Sequence, residues 1–399
     1  MTDRVLEGVT VIDLTQYVSG PYCTKLMADY GANVIKVECP KEGDPSRNIG
    51  PFPDDVPDKE KSGLFLALNV NKQSLSLDIN SARGRGLLLE LIKDADVVVE
   101  NLTPRVITNL NLSYEELSKI NPRLIMTSIS DFGQTGPYRD WKATEIVAEA
   151  IGGNMYISGD YDREPLSFGV PLFQYVAGQN ALAATLMALY ERETSHQGQH
   201  IDVSISEVVT SCIPYAFQYY TYIGAIWRRG PARRLLFGVD LWPTKDGHVG
   251  LSVIRSTDFE EIGAFLDAPE MYDPKFSTAA GREEHYEELK ELYLNSLKEK
   301  GKDEFFHEAH AWRLMASREL TPSELLQCEQ LIDRGYFLEQ EHPSAGVLPY
   351  TGETMGLTAT PAQTLLPPPL LGQHTDEIIR DQLGHSSEEL TSLRQDSVI

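Results

Sequence analysis

Val9-Thr-Val-Ile-Asp-Leu14, Cys23-Thr-Lys-Leu-Met-Ala-Asp-Tyr30 and Val34-Ile-Lys-Val37 follow one another as a β-branched run, a helix-like stretch and a second β-branched run. The same alternation continues with the helix-like Ala82–Lys93 and the strand-like Ala95–Asn101 and Leu124–Ser130. Parallel strands cannot be joined by a tight turn and need a crossover, usually helical, so this order predicts βαβ units. The expected fold class is α/β: a mostly parallel, Rossmann-like sheet with helices on both faces. No GxGxxG follows the first strand, so the dinucleotide fingerprint is missing and a nicotinamide cofactor has no support.

Val176–Arg192 is rich in Ala and other small or apolar residues and predicts a helix able to pack closely on a sheet. Glu193–Gly198 reads as a loop and His200–Ile205 as a strand. The composition then changes. Trp227-Arg-Arg-Gly-Pro-Ala-Arg-Arg234 is basic and loop-like, and Asp258–Ser317 is charged with a helical period. The shift divides the chain into residues 1–225, a smaller domain over 226–340, and a segment over 341–399 that returns to the first domain. Pro367-Pro-Pro369 marks the linker, and Thr375 or Asp376 is the expected cap of a last helix. At 399 residues there is room for two domains of roughly 100–200 residues each.

The chain carries 35 basic and 59 acidic residues, a net charge of −24. Such a field repels a polyphosphate backbone, so nucleic acid is not an expected partner. No apolar leader follows Met1, and no apolar run reaches the roughly 18 residues of a membrane span, so no membrane partner is expected and the expected compartment is cytoplasmic. Cys23, Cys39, Cys212 and Cys328 lie far apart without CxxC spacing, which signals neither zinc nor a disulfide framework; buried free thiols are expected. His196 and His200 have no G-x-S-x-G elbow to serve and read as structural. Asp160, Asp162 and Glu164 fall on a Gly/Asp-rich turn and read as solvated.

A set of short motifs adds a resemblance. Leu6-Glu-Gly-Val-Thr-Val-Ile-Asp-Leu14, Ser19-Gly-Pro21 and Gly31-Ala-Asn-Val-Ile-Lys-Val-Glu38 come first, with Gly43-Asp44 and Arg47 after them. Asn69-Val-Asn-Lys72, Leu77-Asp78, Ala95-Asp-Val-Val-Val-Glu-Asn101, Asn121-Pro-Arg-Leu-Ile125 and Phe132-Gly-Gln-Thr-Gly-Pro137 continue the series. Gly198-Gln-His-Ile-Asp-Val-Ser204, Asp333-Arg-Gly335 and Leu371-Gly-Gln-His-Thr375 complete it. In this order they resemble the class III CoA-transferases of the formyl-CoA and carnitine type. No single motif is decisive; their number and order carry the resemblance.

The resemblance implies a large Rossmann-like domain built from both chain ends, a smaller middle domain, and an interlocked dimer. Coenzyme A and its acyl thioester are substrates in that family, with no tightly bound cofactor. An aspartate attacks the thioester to give a mixed anhydride, and the CoA thiolate returns to form an enzyme thioester, dividing one hard exchange into easier ones. Gly169-Val-Pro-Leu-Phe-Gln174-Tyr-Val-Ala-Gly178 holds the place of that aspartate and reads Gln174. Gln16, Val18, Ser19, Lys72, Asn101, Lys142 and Glu145 match positions that line or shape the coenzyme site, whereas Cys39 and Asn109 stand where arginines often do. The family's racemases place a base where this chain has Thr144, so racemase chemistry is unsupported.

Three functions are compatible with this pattern. The first is one subunit of a heteromeric CoA-transferase, of the benzylsuccinate type, whose paralogous partner carries the aspartate. The second is a self-sufficient enzyme using another carboxylate, and the third a non-enzymatic acyl-CoA-binding homodimer. Arg228–Arg234 is either a phosphate contact or a solvated basic loop.

Overall fold

The computed structural model describes residues 4–159, 162–229, 240–252, 256–362 and 366–399. Six strands form one sheet: β1 Thr10–Asp13, β2 Asn33–Glu38, β3 Gln73–Ser76, β4 Val97–Glu100, β5 Ile125–Ser130 and β6 His200–Ser204. Every neighbouring pair is parallel, in the order β3-β2-β1-β4-β5-β6. The helices that matter for the site are α1 Ser19–Asp29, α2 Ala82–Asp94, α3 Pro104–Asn109, α4 Tyr114–Ile120, α5 Glu145–Ile151, α6 Leu172–Ser195 and α7 Pro214–Ile223.

Side chains alternate across a strand, and here both faces are apolar. Val11, Val34, Val97, Val99 and Ile125 join one core with Cys23, Met27, Ala177 and Ala181 of α1 and α6. Ile12, Ile35, Val98 and Met126 join a second core with Leu87, Leu88, Leu91 and Ile92 of α2. The expected α/β, Rossmann-like architecture is thus observed. The strand order reverses between β1 and β4, which opens a crevice outside the carboxyl ends of the strands.

The chain divides into two compact units. One comprises Met1–Asn154, Ser167–Pro214 and Asp333–Ile399, the other Met155–Leu166 and Tyr215–Ile332. The divisions at Pro214/Tyr215 and Ile332/Asp333 lie earlier than the expected 225/226 and 340/341, and the excursion Met155–Leu166 has no counterpart in the sequence reading. The second unit has a three-stranded antiparallel sheet, β7 Asp240–Pro243, β8 His248–Ser252 and β9 Met315–Arg318. Its core joins Trp242, Val249 and Leu251 to Phe259, Ile262, Tyr293 and Phe305.

The returning segment docks on the edge of the large sheet. His374 N–H donates to Ser74 O at 3.0 Å, and Thr375 Oγ1 accepts the Ser76 N–H at 2.9 Å. Thr375 and Asp376 therefore do not cap the last helix. That helix, Ser387–Gln395, is capped by Ser386 in a reciprocal box with Glu389. The helix expected from Val176 begins earlier, at Leu172, so Gln174 lies in its first turn.

Close packing of α6 on α1 depends on Gly178. A Cβ there would meet Ser19 O at 2.5 Å and Cys23 N at 3.3 Å. Gly178→Ala should therefore cost about 1–3 kcal/mol, the usual scale of overpacking. Gly86→Ala, in α2 with nothing within 4 Å of the added carbon, should stabilise by roughly 0.4–1 kcal/mol. Urea denaturation midpoints of the two variants check the contrast; a neutral Gly178→Ala would contradict the close approach.

Candidate active site

Asp13 ends β1 with no exposed surface. It accepts hydrogen bonds from Thr15 N–H at 2.9 Å and Thr24 Oγ1 at 2.6 Å, and pairs with Lys72 Nζ at 3.1 Å. Lys72 Nζ also donates to Pro21 O, Thr24 Oγ1 and Asn69 Oδ1 at 2.8–2.9 Å. Burial alone would raise Asp13, but Lys72, Lys36 and the Thr15 and Thr24 hydroxyls, both donating to it, hold it well below the ordinary carboxylate range. Burial pushes Lys72 down to about 8, against the pull of Asp13. With its ammonium enclosed by four oxygens, Lys72 is not a surface lysine; it is a buried strut between β1, α1 and the Asn69–Lys72 loop, placed to shape the wall from behind.

The strut shapes the loop after β1. Asn101, just beyond β4, latches that loop through both amide atoms: Gln16 N–H donates to Asn101 Oδ1 at 2.8 Å, and Asn101 Nδ2 donates to Gln16 O at 2.7 Å. Tyr17 then adopts a left-handed φ of 63°, and its N–H donates to Asp44 Oδ1 at 3.2 Å.

Against these loops lies a cavity of about 490 Å³. Its wall comprises Tyr17–Ser19 after β1, Asn101–Pro104 after β4 and Ile129–Asp131 at the end of β5, closed by Arg139, Trp141, Ala143–Glu145, Pro171, Gln174 and Ile205. It sits at the crevice where the strand order reverses, the place where open parallel sheets bind ligands. Val18, Ser19, Asn101 and Glu145 are thus brought together with Gln174, and Gln16 acts from behind through its backbone. Lys142 is exposed beside Trp141, off the wall.

Glu145 begins α5, and its Oε1 accepts the Phe173 N–H at the start of α6, 2.7 Å away. Burial raises its pKa, opposed by the Phe173 N–H, reinforced by Glu149 and opposed again by the backbone and side chain of Gln174. Its Oε2 is buried without a hydrogen-bond partner, as is Ser130 Oγ on the same wall. Buried polar atoms left unpaired are costly, so this wall is suited to a polar ligand. Asp131 is a wall carboxylate absent from the sequence candidates; burial raises its pKa, and it accepts the Ala143 N–H at 3.2 Å. The signal available was its position between the strand-like Leu124–Ser130 and the Phe132-Gly motif.

Cys39, at the end of β2, and Asn109, at the end of α3, are exposed and off the wall, whereas Thr144 is on it. His196 takes the left-handed position after α6, and His200 Nε2 lies 2.8 Å from Ser128 Oγ. Asp162 and Glu164 are exposed, and Asp160 lies outside the described residues. Arg229 donates to the backbone oxygen of Arg163 at 3.3 Å; residues 230–234 also lie outside the described residues. All four cysteines are free, but only Cys23 is buried; Cys39 and Cys212 are exposed, and Cys328 is intermediate. The expectation of uniformly buried thiols is corrected accordingly, because only Cys23 lies on the inward face of a packed helix. Among the described residues, no helix is long and apolar enough to cross a membrane, and no group of three metal-binding side chains occurs.

Residues 6–375 match CoA-transferase family III. The chain is 33% identical over 399 residues to a succinyl-CoA–D-citramalate CoA-transferase of Chloroflexus aurantiacus, covering 99% of this chain and 98% of that one. It is 30% identical over 419 residues to a formyl-CoA:oxalate CoA-transferase of Streptomyces coelicolor, covering 100% of each. The crystal structure of a CaiB/BaiF family protein from Brucella suis superposes with a TM-score of 0.86 at 26% identity, over 96% of this chain and 100% of that one.

The strut role of Lys72 can be measured directly. Lys72→Met leaves Asp13 buried and unpaired, so stability should fall by about 3–5 kcal/mol, the cost of breaking a buried pair from one side. Chemical denaturation at neutral pH measures it. A variant as stable as the parent would contradict that role.

Proposed function

The chain belongs to CoA-transferase family III, and on that premise we propose that it is one subunit of a heteromeric enzyme moving CoA between an acyl-CoA, such as succinyl-CoA, and a carboxylic acid. The observation that carries this reading is Gln174, which reaches the cavity wall from the first turn of α6. Its amide nitrogen lone pair is delocalised into the carbonyl and cannot attack a thioester to form an anhydride. The nucleophilic carboxylate then comes from a paralogous, aspartate-bearing partner chain, while this chain completes the assembly. CoA and acyl-CoA are substrates, with no tightly bound cofactor, and the cytosol is the compartment that goes with this reading.

The partner-binding element is α7. None of its residues is buried, and Tyr215, Tyr220, Tyr222 and Ile223 are 72%, 62%, 86% and 67% exposed. An aromatic patch of this kind marks a protein interface, consistent with an interlocked dimer. A second reading, a self-sufficient enzyme, is favoured by one observation: Glu145 is a wall carboxylate with an unpartnered oxygen. Incubating the isolated chain with succinyl-CoA and hydroxylamine separates the two. We expect no turnover and an unchanged protein mass, whereas an adduct on Glu145 would establish the second reading. Co-expression with the paralogue should give a soluble, active hetero-oligomer, and a homodimer that ignores the paralogue would count against the proposal.

Gln174→Asp should restore at most a trace of activity in the isolated chain. The new carboxylate would lie beside Glu145, and two carboxylates sharing a site do not both ionise readily. Turnover with succinyl-CoA and a panel of dicarboxylate acceptors measures it; robust activity would mean that the site had lost only its nucleophile.

A further inference from the structure

Glu100 ends β4 and is wholly buried. Strand register sets it beside Ser128 of β5, which is itself paired with Asp202 of β6. Glu100 Oε2 accepts the Leu102 N–H at 2.8 Å, while Oε1 is buried with no well-formed hydrogen bond, the Ser128 hydroxyl standing close enough only to bias its charge. Ser128 Oγ lies 2.8 Å from His200 Nε2, and the His200 ring stacks on Tyr114 of α4 with centroids 5.5 Å apart. Leu102 and its neighbour Asn101 both belong to the cavity wall, and Asn101 is the latch that holds Gln16.

Among the described residues no ion pair reaches the Glu100 carboxylate, and its Oε1 has no hydrogen-bond partner. Asp202 and His200 face it from β6, Tyr114 and Glu115 stand behind His200, and Ile12 of β1 and Leu14 just beyond it add only apolar surface to the same core. A carboxylic acid fits better. Its hydroxyl can donate to Ser128 Oγ, and Ser128 can donate to a neutral His200 Nε2, so each polar atom has a partner. As the pH rises the proton passes through Ser128 to His200 Nε2 while the ring releases its Nδ1 proton to solvent, so the ring stays neutral, donates from Nε2 to Ser128, and Ser128 donates to Glu100 Oε1. Burial pushes Glu100 up to about 7, restrained by the Ser128 hydroxyl and the Leu102 N–H and reinforced by Asp202. Burial also lowers His200, which favours the neutral ring.

We infer that Glu100 is a positioning residue whose proton, relayed through Ser128 to His200, sets the geometry of the Asn101–Pro104 wall of the cavity. The inference rests on the CoA-transfer reading only for its consequence, since the wall itself is present in the free chain. Selective labelling of the full chain with 15N-leucine allows the Leu102 amide to be followed from about pH 5 to about pH 9, the span over which neutral-range groups titrate. The amide should titrate with a midpoint near 7, and not at all in Glu100→Gln. Ser128→Ala removes a group that restrains the value, so it should move the midpoint upward. A Leu102 amide that does not titrate, or that titrates identically in Glu100→Gln, would overturn the inference.

Melting gives a second readout. A carboxyl whose folded pKa is raised contributes stability below its unfolded value and loses it as the pH rises through the folded one. Glu100→Gln should therefore melt above the parent at alkaline pH, and the gap should close in acid; a gap that does not vary with pH would also overturn it. Neither readout involves CoA. Both can fail while CoA transfer stands, and an inactive hetero-oligomer with both intact would count against the CoA-transfer reading instead.

Discussion

The cavity depends on keeping charge inside the protein. Asp13 and Lys72 meet at 3.1 Å with neither side chain exposed, where β1 passes into the loop that forms one wall. Two such charges are expensive to desolvate, and leaving either unpaired is worse, so every group that completes their coordination is held in place. That set includes the Thr24 hydroxyl and Pro21 carbonyl of α1 and the Asn69 amide. A second buried pair, Lys36 with Asp44 at 2.8 Å, draws the loop after β2 to the same spot, and Lys36 Nζ donates to Thr15 O. A third, Arg47 with Glu38 at 2.7 Å, extends to Pro369 O and so ties the returning chain end to the first strands. One buried network thus connects segments more than three hundred residues apart in sequence.

The chemistry at the mouth of the cavity follows from a helix end. The first turn of α6 presents N–H groups and the positive end of the helix dipole, a place that favours an anion. A nucleophilic carboxylate at position 174 would use this environment, and Gln174 does not. Glu145 occupies part of it instead, accepting the Phe173 N–H. Four residues further along α5, Glu149 holds the approach to α6: its Oε1 accepts from Ser167 Oγ at 2.6 Å, and its Oε2 from Asn154 Nδ2 at 3.1 Å. The wall is acidic at Glu145 and neutral at Gln174. Helix α7, for its part, leaves an aromatic face uncovered, with no residue buried.

Much of the fold was legible because it rests on local signals. The βαβ alternation, the apolar runs of strands buried on both faces, and the absence of a glycine-rich phosphate loop are all properties of short windows. So is Gln174, once the motifs on either side set its register. What the windows could not carry were interactions between distant segments. Lys72 looks the same in sequence whether it contacts a ligand or lies buried, and only the convergence of Asp13, Pro21, Thr24 and Asn69 around its ammonium decides for the interior. Thr375 looks like a helix cap until the edge of β3 claims its hydroxyl.

The sequence by itself determined the fold class, the family and the presence of glutamine at position 174, because hydrophobic period, motif order and residue identity are written locally. Tertiary structure alone decided which polar groups share a space: that Glu145 reaches the start of α6, that Asp131 joins the wall, and that Glu100, Ser128 and His200 stand side by side across three strands. Burial and hydrogen-bond geometry set the protonation and role of such groups, and both arise only when segments far apart in the chain are packed together.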